Sequence, residues 1–142
     1  MTVAVVDTGV LIETADADDD HHDVATEIVC GMDHGDLPTG RVTNYIGLET
    51  LDWIHTREHH KKAVETDSRL NQSAGFEVRH SAQKDFTNAI DRFQTDEGPL
   101  FGHGTIAAYM AREEIKHLYS SDDGSDTPTD ITRLDTADNP FE

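Results

Sequence analysis

Residues 3–12 have the sequence Val-Ala-Val-Val-Asp-Thr-Gly-Val-Leu-Ile, and this stretch decides the fold. Consecutive branched apolar residues predict a strand that is buried on both faces, as in a parallel sheet. Asp7 ends the strand, and Thr8-Gly9 predict a turn before the apolar pattern resumes. A carboxylate at the carboxyl end of such a strand lies where open α/β sheets bind their ligands. Two interpretations of Asp7 are therefore open: a ligand-binding group at the sheet edge, or a cap on the following helix.

The spacing of apolar residues along the rest of the chain predicts strands that alternate with helices. Helices are predicted over residues 24–32, 45–57, 59–70, 82–93 and 104–114. Strands are predicted over residues 41–43, 76–80, 115–119 and 131–134. Leu48 belongs to the apolar set of its helix and is expected to be buried, and Phe86 and Phe93 recur at helical spacing. This alternation predicts one α/β domain over residues 1–136, with a mostly parallel sheet flanked by helices, and a polar tail over residues 137–142.

The composition is strongly acidic. The 142-residue chain has 29 Asp and Glu against 11 Lys and Arg, a formal net charge of −18. The acids are spread along the chain, as is typical of haloarchaeal proteins, whose surface charge is screened by high salt. A basic partner protein is the other explanation of this net charge. Because salt screens the charge, its sign does not exclude nucleic acid as a partner. No apolar run reaches the roughly 18 residues of a membrane span, and the single cysteine, Cys30, favours a cytoplasmic location.

Four side chains at predicted strand ends and helix starts are candidates for chemistry. Asp7 and Asp122 each follow a predicted strand, Glu49 lies one turn into a helix, and His103 begins another. The carboxyl ends of parallel strands and the amino ends of the following helices meet at one edge of a sheet, so Asp7, Glu49 and Asp122 could converge there. Carboxylates gathered without basic partners suit Mg²⁺ or Mn²⁺, which activate water for phosphodiester hydrolysis. The spacing therefore indicates a possible metal-dependent phosphodiesterase edge.

The order of these segments resembles that of the PIN-domain ribonucleases, and most closely the VapC-like toxins of toxin–antitoxin pairs. Residues 5–11 (Val-Val-Asp-Thr-Gly-Val-Leu) are similar to the family's opening strand with its first metal-binding aspartate. Residues 43–51 (Thr-Asn-Tyr-Ile-Gly-Leu-Glu-Thr-Leu) are similar to the segment that carries its glutamate. Residues 120–126 (Ser-Ser-Asp-Asp-Gly-Ser-Asp) are similar to the late acidic segment. The resemblance implies metal ligands at Asp7, Glu49 and Asp122, with Asp126 as an auxiliary acid.

One position departs from the family pattern. The family's third acid precedes a helix, and the matching segment here is Pro-Leu-Phe-Gly-His-Gly-Thr-Ile at residues 99–106, which puts His103 in the place of the aspartate. Imidazole is a ligand for a transition metal such as Mn²⁺, but it suits Mg²⁺ poorly and brings no negative charge. Asp96, Glu97 or Asp126 are possible substitutes. An active enzyme with a changed metal preference and a degenerate copy are both open.

The resemblance implies a three-layer α/β sandwich with a central, mostly parallel sheet, and a metal-dependent endoribonuclease activity. Its implied partners are RNA, a small antitoxin protein and a second copy of the chain. The leading hypothesis is thus a PIN-like ribonuclease that uses Mg²⁺ or Mn²⁺ at Asp7, Glu49 and Asp122, with His103 in the replaced position. A catalytically degenerate PIN-like module that binds RNA or protein is the alternative. A halophilic α/β protein without a metal site is a third interpretation.

Overall fold

A computed structural model describes residues 2–95, 100–122 and 130–142, which contain five strands and six helices. The strands are β1 (Val3–Val6), β2 (Thr39–Thr43), β3 (Phe76–Arg79), β4 (His117–Tyr119) and β5 (Thr132–Leu134). The helices are α1 (Thr8–Ala15), α2 (His22–His34), α3 (Asn44–Arg57), α4 (His60–Gln72), α5 (Gln83–Thr95) and α6 (Phe101–Glu113). The predicted elements are all present, with ends shifted by a few residues. The predicted break over residues 96–99 lies outside the described residues.

All five strands are parallel, in the order β3-β2-β1-β4-β5, and the helices flank this sheet. The first strand along the chain is central, with Val5 opposite Arg41 on one side and Leu118 on the other. Val5 and Val6 have no exposed surface, as expected for a strand that is covered on both faces. The predicted three-layer α/β fold with a parallel central sheet is therefore confirmed.

Local sequence explains where the helices begin and end. The Thr43 hydroxyl accepts a hydrogen bond from the Ile46 N–H and caps α3, while Gly35 ends α2 in the left-handed region at φ +83°. The predicted turn at Thr8-Gly9 is wrong, because these two residues form the first turn of α1 directly after Asp7. The carboxylate at the end of β1 makes this abrupt start possible by accepting a hydrogen bond from the helix amino terminus.

Several apolar side chains lie on the surface rather than in the core. Leu48, which was expected to be buried, is 63% exposed, and Phe86 and Phe93 are also exposed. The ring of Phe101 packs against both Phe86 and Phe93, at centroid distances of 5.1 and 5.7 Å, and Phe86 also faces Tyr45. We call the following set the aromatic surface: Tyr45, Leu48, Phe86, Phe93, Leu100 and Phe101. Apolar spacing predicts which face of a helix is apolar, but not that the chain itself covers that face.

The last residues of the chain contact the body of the domain. The Tyr119 hydroxyl donates a 2.6 Å hydrogen bond to the Asp138 carbonyl, and the Asn139 amide donates to the Asp36 carbonyl. Burial raises the pKa of Tyr119 to about 12. Phe141 packs edge-on against His117 at a centroid distance of 4.9 Å. None of the helices in the described ranges is long and apolar enough to cross a membrane.

Candidate functional site

Asp7 lies at the carboxyl end of the central strand and is only 4% exposed. Its N–H continues the sheet by donating to the Tyr119 carbonyl. Oδ1 of its carboxylate accepts a 2.8 Å hydrogen bond from the Thr8 N–H, and Oδ2 accepts one of the same length from the Ser120 hydroxyl. No Lys or Arg pairs with this carboxylate among the described residues. Asp7 thus caps α1 and also presents a carboxylate at the sheet edge, so the two interpretations of this residue are compatible.

Glu49 approaches the same edge from the second turn of α3, which begins immediately after β2. Its side chain is exposed and makes no hydrogen bond or ion pair with the described part of the chain. A Cβ atom placed on Gly102 would lie 4.0 Å from Glu49 Oε2. The glutamate carboxylate therefore faces the amino-terminal turn of α6.

His103 and Asp122 contact each other. His103 lies in the first turn of α6, and its Nε2 is 3.2 Å from Oδ2 of Asp122, which follows β4. The other imidazole nitrogen, Nδ1, is buried and has no hydrogen-bond partner among the described residues. The Asp122 N–H donates to the Ser120 hydroxyl, which in turn donates to Asp7. A short chain of hydrogen bonds therefore links Asp122 to Asp7.

These side chains surround one pocket of about 140 Å³. Asp7, Glu49 and His103 line it directly, and Asp122 is connected to it through His103. The remaining lining residues are Thr8, Tyr45, Ile46, Leu100, Gly102, Thr105 and Ile106. The structure therefore brings Asp7, Glu49 and His103 to one pocket, while Asp122, the third acid expected at this edge, does not line it and contacts His103 instead. Asp96, Glu97 and Asp126 lie outside the described residues.

Ser120 is a site residue that the sequence analysis did not single out. It is 1% exposed and bonds to both Asp7 and Asp122. Its position was the available clue: a small hydroxyl side chain directly after a strand that is parallel to β1. Residues at the same level of adjacent parallel strands are neighbours, so a hydroxyl beside a strand-end aspartate is placed to orient it.

The donor set of the pocket fits a divalent cation. Two carboxylates line the pocket without a Lys or Arg partner in the described ranges, and a cation bound between them would offset their mutual repulsion. Carboxylate oxygens suit Mg²⁺ and Mn²⁺, whereas the imidazole of His103 suits Mn²⁺ better. His103 Nδ1 is also buried in this region, and no atom of the described residues forms a hydrogen bond with it.

No protein-family model matches the chain, and no curated protein matches it. Solved structures do match. VapC20 of Mycobacterium tuberculosis, described as a sarcin–ricin-loop-cleaving toxin, has a TM-score of 0.74 and 21% identity over 88% of this chain and 94% of its own. VapBC2 of Rickettsia felis, bound to a DNA fragment from its promoter, has a TM-score of 0.68 and 9% identity over 93% of this chain and 97% of its own. FitAcB of Neisseria gonorrhoeae has a TM-score of 0.62 and 17% identity over 93% of this chain and 96% of its own. The chain therefore has the fold of the PIN-domain VapC structures, with a parallel five-stranded sheet flanked by six helices.

Proposed function

We propose that this protein is a PIN-like, divalent-metal-dependent endoribonuclease and the toxin of a toxin–antitoxin pair. The observation that carries the proposal is the pocket at the carboxyl edge of the sheet, which Asp7, Glu49 and His103 line and where neither carboxylate has a Lys or Arg partner in the described residues. The fold likeness supports the substrate class, because VapC20 is described as cleaving the sarcin–ricin loop. RNA is accordingly the proposed substrate of this chain.

The proposed metal ligands are Asp7, Glu49 and Asp122, with His103 in the position of the family's third acid and Asp126 as an auxiliary. When bound, Mg²⁺ or Mn²⁺ would lower the pKa of a coordinated water and offset the charge that develops on the phosphate. Hydrogen bonds from the Thr8 N–H and the Ser120 hydroxyl hold the Asp7 carboxylate in one orientation. Ser120 therefore acts as a positioning residue for Asp7. His103 favours Mn²⁺ over Mg²⁺, because imidazole is a better ligand for the transition metal.

Cleavage of a defined RNA in high salt tests the proposal, with wild type, Asp7→Asn and His103→Asp compared with and without Mn²⁺ or Mg²⁺. We expect metal-dependent cleavage by wild type and its loss in Asp7→Asn, which keeps the shape of the side chain but removes its charge. If wild type is silent and His103→Asp cleaves, the natural protein is a degenerate module, and the enzymatic proposal is wrong. A circular dichroism spectrum of each variant controls for folding.

We further propose a small antitoxin and a second copy of the chain as partners. An antitoxin that inserts a basic side chain into the pocket would pair with Asp7 and Glu49, where a charge-assisted hydrogen bond is favourable. The aromatic surface is the proposed dimer interface. Two copies of a chain with a net charge of −18 repel each other, and the side chains of this surface are all uncharged. Its rim reaches the pocket, since Tyr45 and Leu100 line both, so a second copy seated there would add to the pocket wall.

A further inference from the structure

A second group of ligand-type side chains lies at the junction of α1 and α2, outside the pocket that contains Asp7. Glu13 is in the last turn of α1, Asp19 is in the following loop, and His21 is the residue that precedes α2. Each offers one ligand atom, and the three atoms all lie within 4.8 Å of one another. The group combines one imidazole nitrogen with two carboxylate oxygens, a donor set that binds Zn²⁺ and similar transition metals.

The two imidazole–carboxylate distances in this group fit ligands that share an ion better than they fit hydrogen bonds, while the His21 backbone N–H donates a 2.8 Å hydrogen bond to Asp19 Oδ1. His21 Nδ1 lies 3.5 Å from Glu13 Oε2 and 3.5 Å from Asp19 Oδ1. Good N–H···O hydrogen bonds span about 2.7–3.2 Å. Four ligands at about 2.1 Å from a tetrahedral ion are separated from one another by about 3.4 Å. The observed 3.5 Å from the imidazole nitrogen to each carboxylate oxygen is thus close to the spacing of two ligands on one tetrahedral ion.

The two carboxylates of this group have no permanently charged cation beside them among the described residues. Glu13 is only 9% exposed, and no Lys or Arg pairs with it in the part of the chain that the structure describes. Burial raises the pKa of the Glu13 carboxyl, and nearby Asp19 and Asp7 act in the same direction, while the Ser121 hydroxyl and His21 oppose them. His21 is 60% exposed at its side chain, so an ion has access from solvent. A cation would remove the cost of an ionised Glu13.

We propose that Glu13, Asp19 and His21 form a zinc-type metal site that is separate from the pocket at the sheet edge. Water supplies the fourth ligand. Ser121 connects this site to the rest of the fold, because its hydroxyl donates a 2.7 Å hydrogen bond to Glu13 Oε2. A carboxylate oxygen has two lone pairs and can accept this bond while it binds an ion. A metal here holds the α1–α2 loop and the residue before Asp122 in one arrangement.

Calorimetric titration with ZnCl₂ tests the site in metal-stripped protein that carries Asp7→Asn, Glu49→Gln and His103→Ala, so that the other pocket loses three of its proposed ligands. We expect one equivalent of Zn²⁺ to bind. Adding His21→Ala to this background should weaken binding by at least about tenfold, since the loss of even an outer partner of a metal ligand has an effect of that order. His60→Ala is the matched control, because His60 and His55 form a second exposed imidazole pair, with Nδ1 atoms 3.3 Å apart.

Two outcomes would overturn the site. One is the absence of saturable Zn²⁺ binding in the disabled background. The other is binding that His60→Ala removes and His21→Ala does not, which would place the ion on the His55–His60 pair. His21 is exposed, so its replacement leaves the core intact, and the thermal unfolding curve checks this. The titration uses no RNA, so its result is independent of whether the protein cleaves RNA.

Discussion

The Ser120 hydroxyl donates a 2.8 Å hydrogen bond to Asp7 Oδ2, between residues that are 113 positions apart in the sequence. The two residues follow adjacent parallel strands, β4 and β1, whose register places Tyr119 opposite Val6. Ser120 Oγ also accepts from the Asp122 N–H, so one buried hydroxyl fixes two acids of the proposed metal site.

Ser120→Ala should reduce metal-dependent RNA cleavage by about 10–100-fold, the usual effect of removing a partner that orients a metal ligand. Its cost in unfolding free energy should be about 1–3 kcal/mol, because the Asp7 oxygen and the Asp122 N–H lose a buried partner. Cleavage rates and urea unfolding measure the two effects. Ser121→Ala is the control, since its hydroxyl bonds to Glu13 rather than to Asp7. If Ser120→Ala cleaves RNA at the wild-type rate, or no more slowly than Ser121→Ala, Ser120 does not position Asp7.

His103 should set the metal preference of the pocket. At fixed ionic strength, we expect Mn²⁺ to raise the melting temperature of wild type more than Mg²⁺ does, because the imidazole favours the transition metal. His103→Asp should bring the two shifts closer together by supplying an oxygen ligand. Thermal unfolding with each metal measures this in a His21→Ala background, which disables the second proposed metal site, and Asp7→Asn in that background should respond to neither metal. A wild-type melting temperature that ignores both metals would contradict the proposed metal site.

The aromatic surface makes a prediction about assembly. Phe93 is 56% exposed and packs against Phe101, so Phe93→Ser should weaken dimerisation by removing apolar contact area from the proposed interface. Sedimentation equilibrium over a range of concentrations measures the dissociation constant. Phe141→Ser is the matched control, because Phe141 is 46% exposed and packs against His117, away from this surface. A monomeric wild type, or equal weakening by both variants, would contradict the interface.

Asp85, which is buried, and Arg112, which reaches the surface, link α5 and α6. The Asp85 side chain is fully buried, accepts two hydrogen bonds from the Arg112 guanidinium at 2.8 and 3.1 Å, and also accepts from Ser81. Asp85→Asn should lower the free energy of unfolding by about 1.5–3 kcal/mol, the range for a hydrogen bond to a charged group. Urea unfolding measures the loss. Asp91→Asn makes the same chemical change at an exposed site on the same helix and should cost much less.

The same carboxylate predicts a pH dependence. Burial by itself would raise the pKa of Asp85, but hydrogen bonds from Arg112, Ser81 and the Ala82 N–H outweigh it and lower the pKa below its usual value. The unfolded chain, with a pKa of about 3.9 for Asp, therefore binds more protons at this position than the native state does. The stabilisation is present above that pKa and is lost as the pH falls through the lower, folded value. The difference in free energy of unfolding between wild type and Asp85→Asn should thus become smaller below about pH 4. A difference that stays constant in acid would contradict a lowered pKa of Asp85.

Residues 3–12 predict a buried strand that ends in an acid, and with the alternation of strands and helices along the chain this predicts the parallel sheet that the structure has. Other features depend on contacts that periodicity does not encode. The bond from Ser120 to Asp7 requires the register of β1 against β4, and the pairing of His103 with Asp122 requires the position of α6 over that edge. The exposure of Leu48 and Phe93 was not predictable either, because an apolar helix face looks the same in sequence whether its own chain or another covers it.

Strand β1 is central in the sheet although it is the first strand along the chain. Its neighbour β4 begins at His117, so one side of β1 stays unpaired until the chain has been synthesised at least that far. His103, Ser120 and Asp122 also emerge late from the ribosome, long after Asp7 and Glu49. The pocket is therefore complete only after Asp122 has been synthesised. Under the proposed ribonuclease function, the growing chain is inactive until these later residues have left the ribosome.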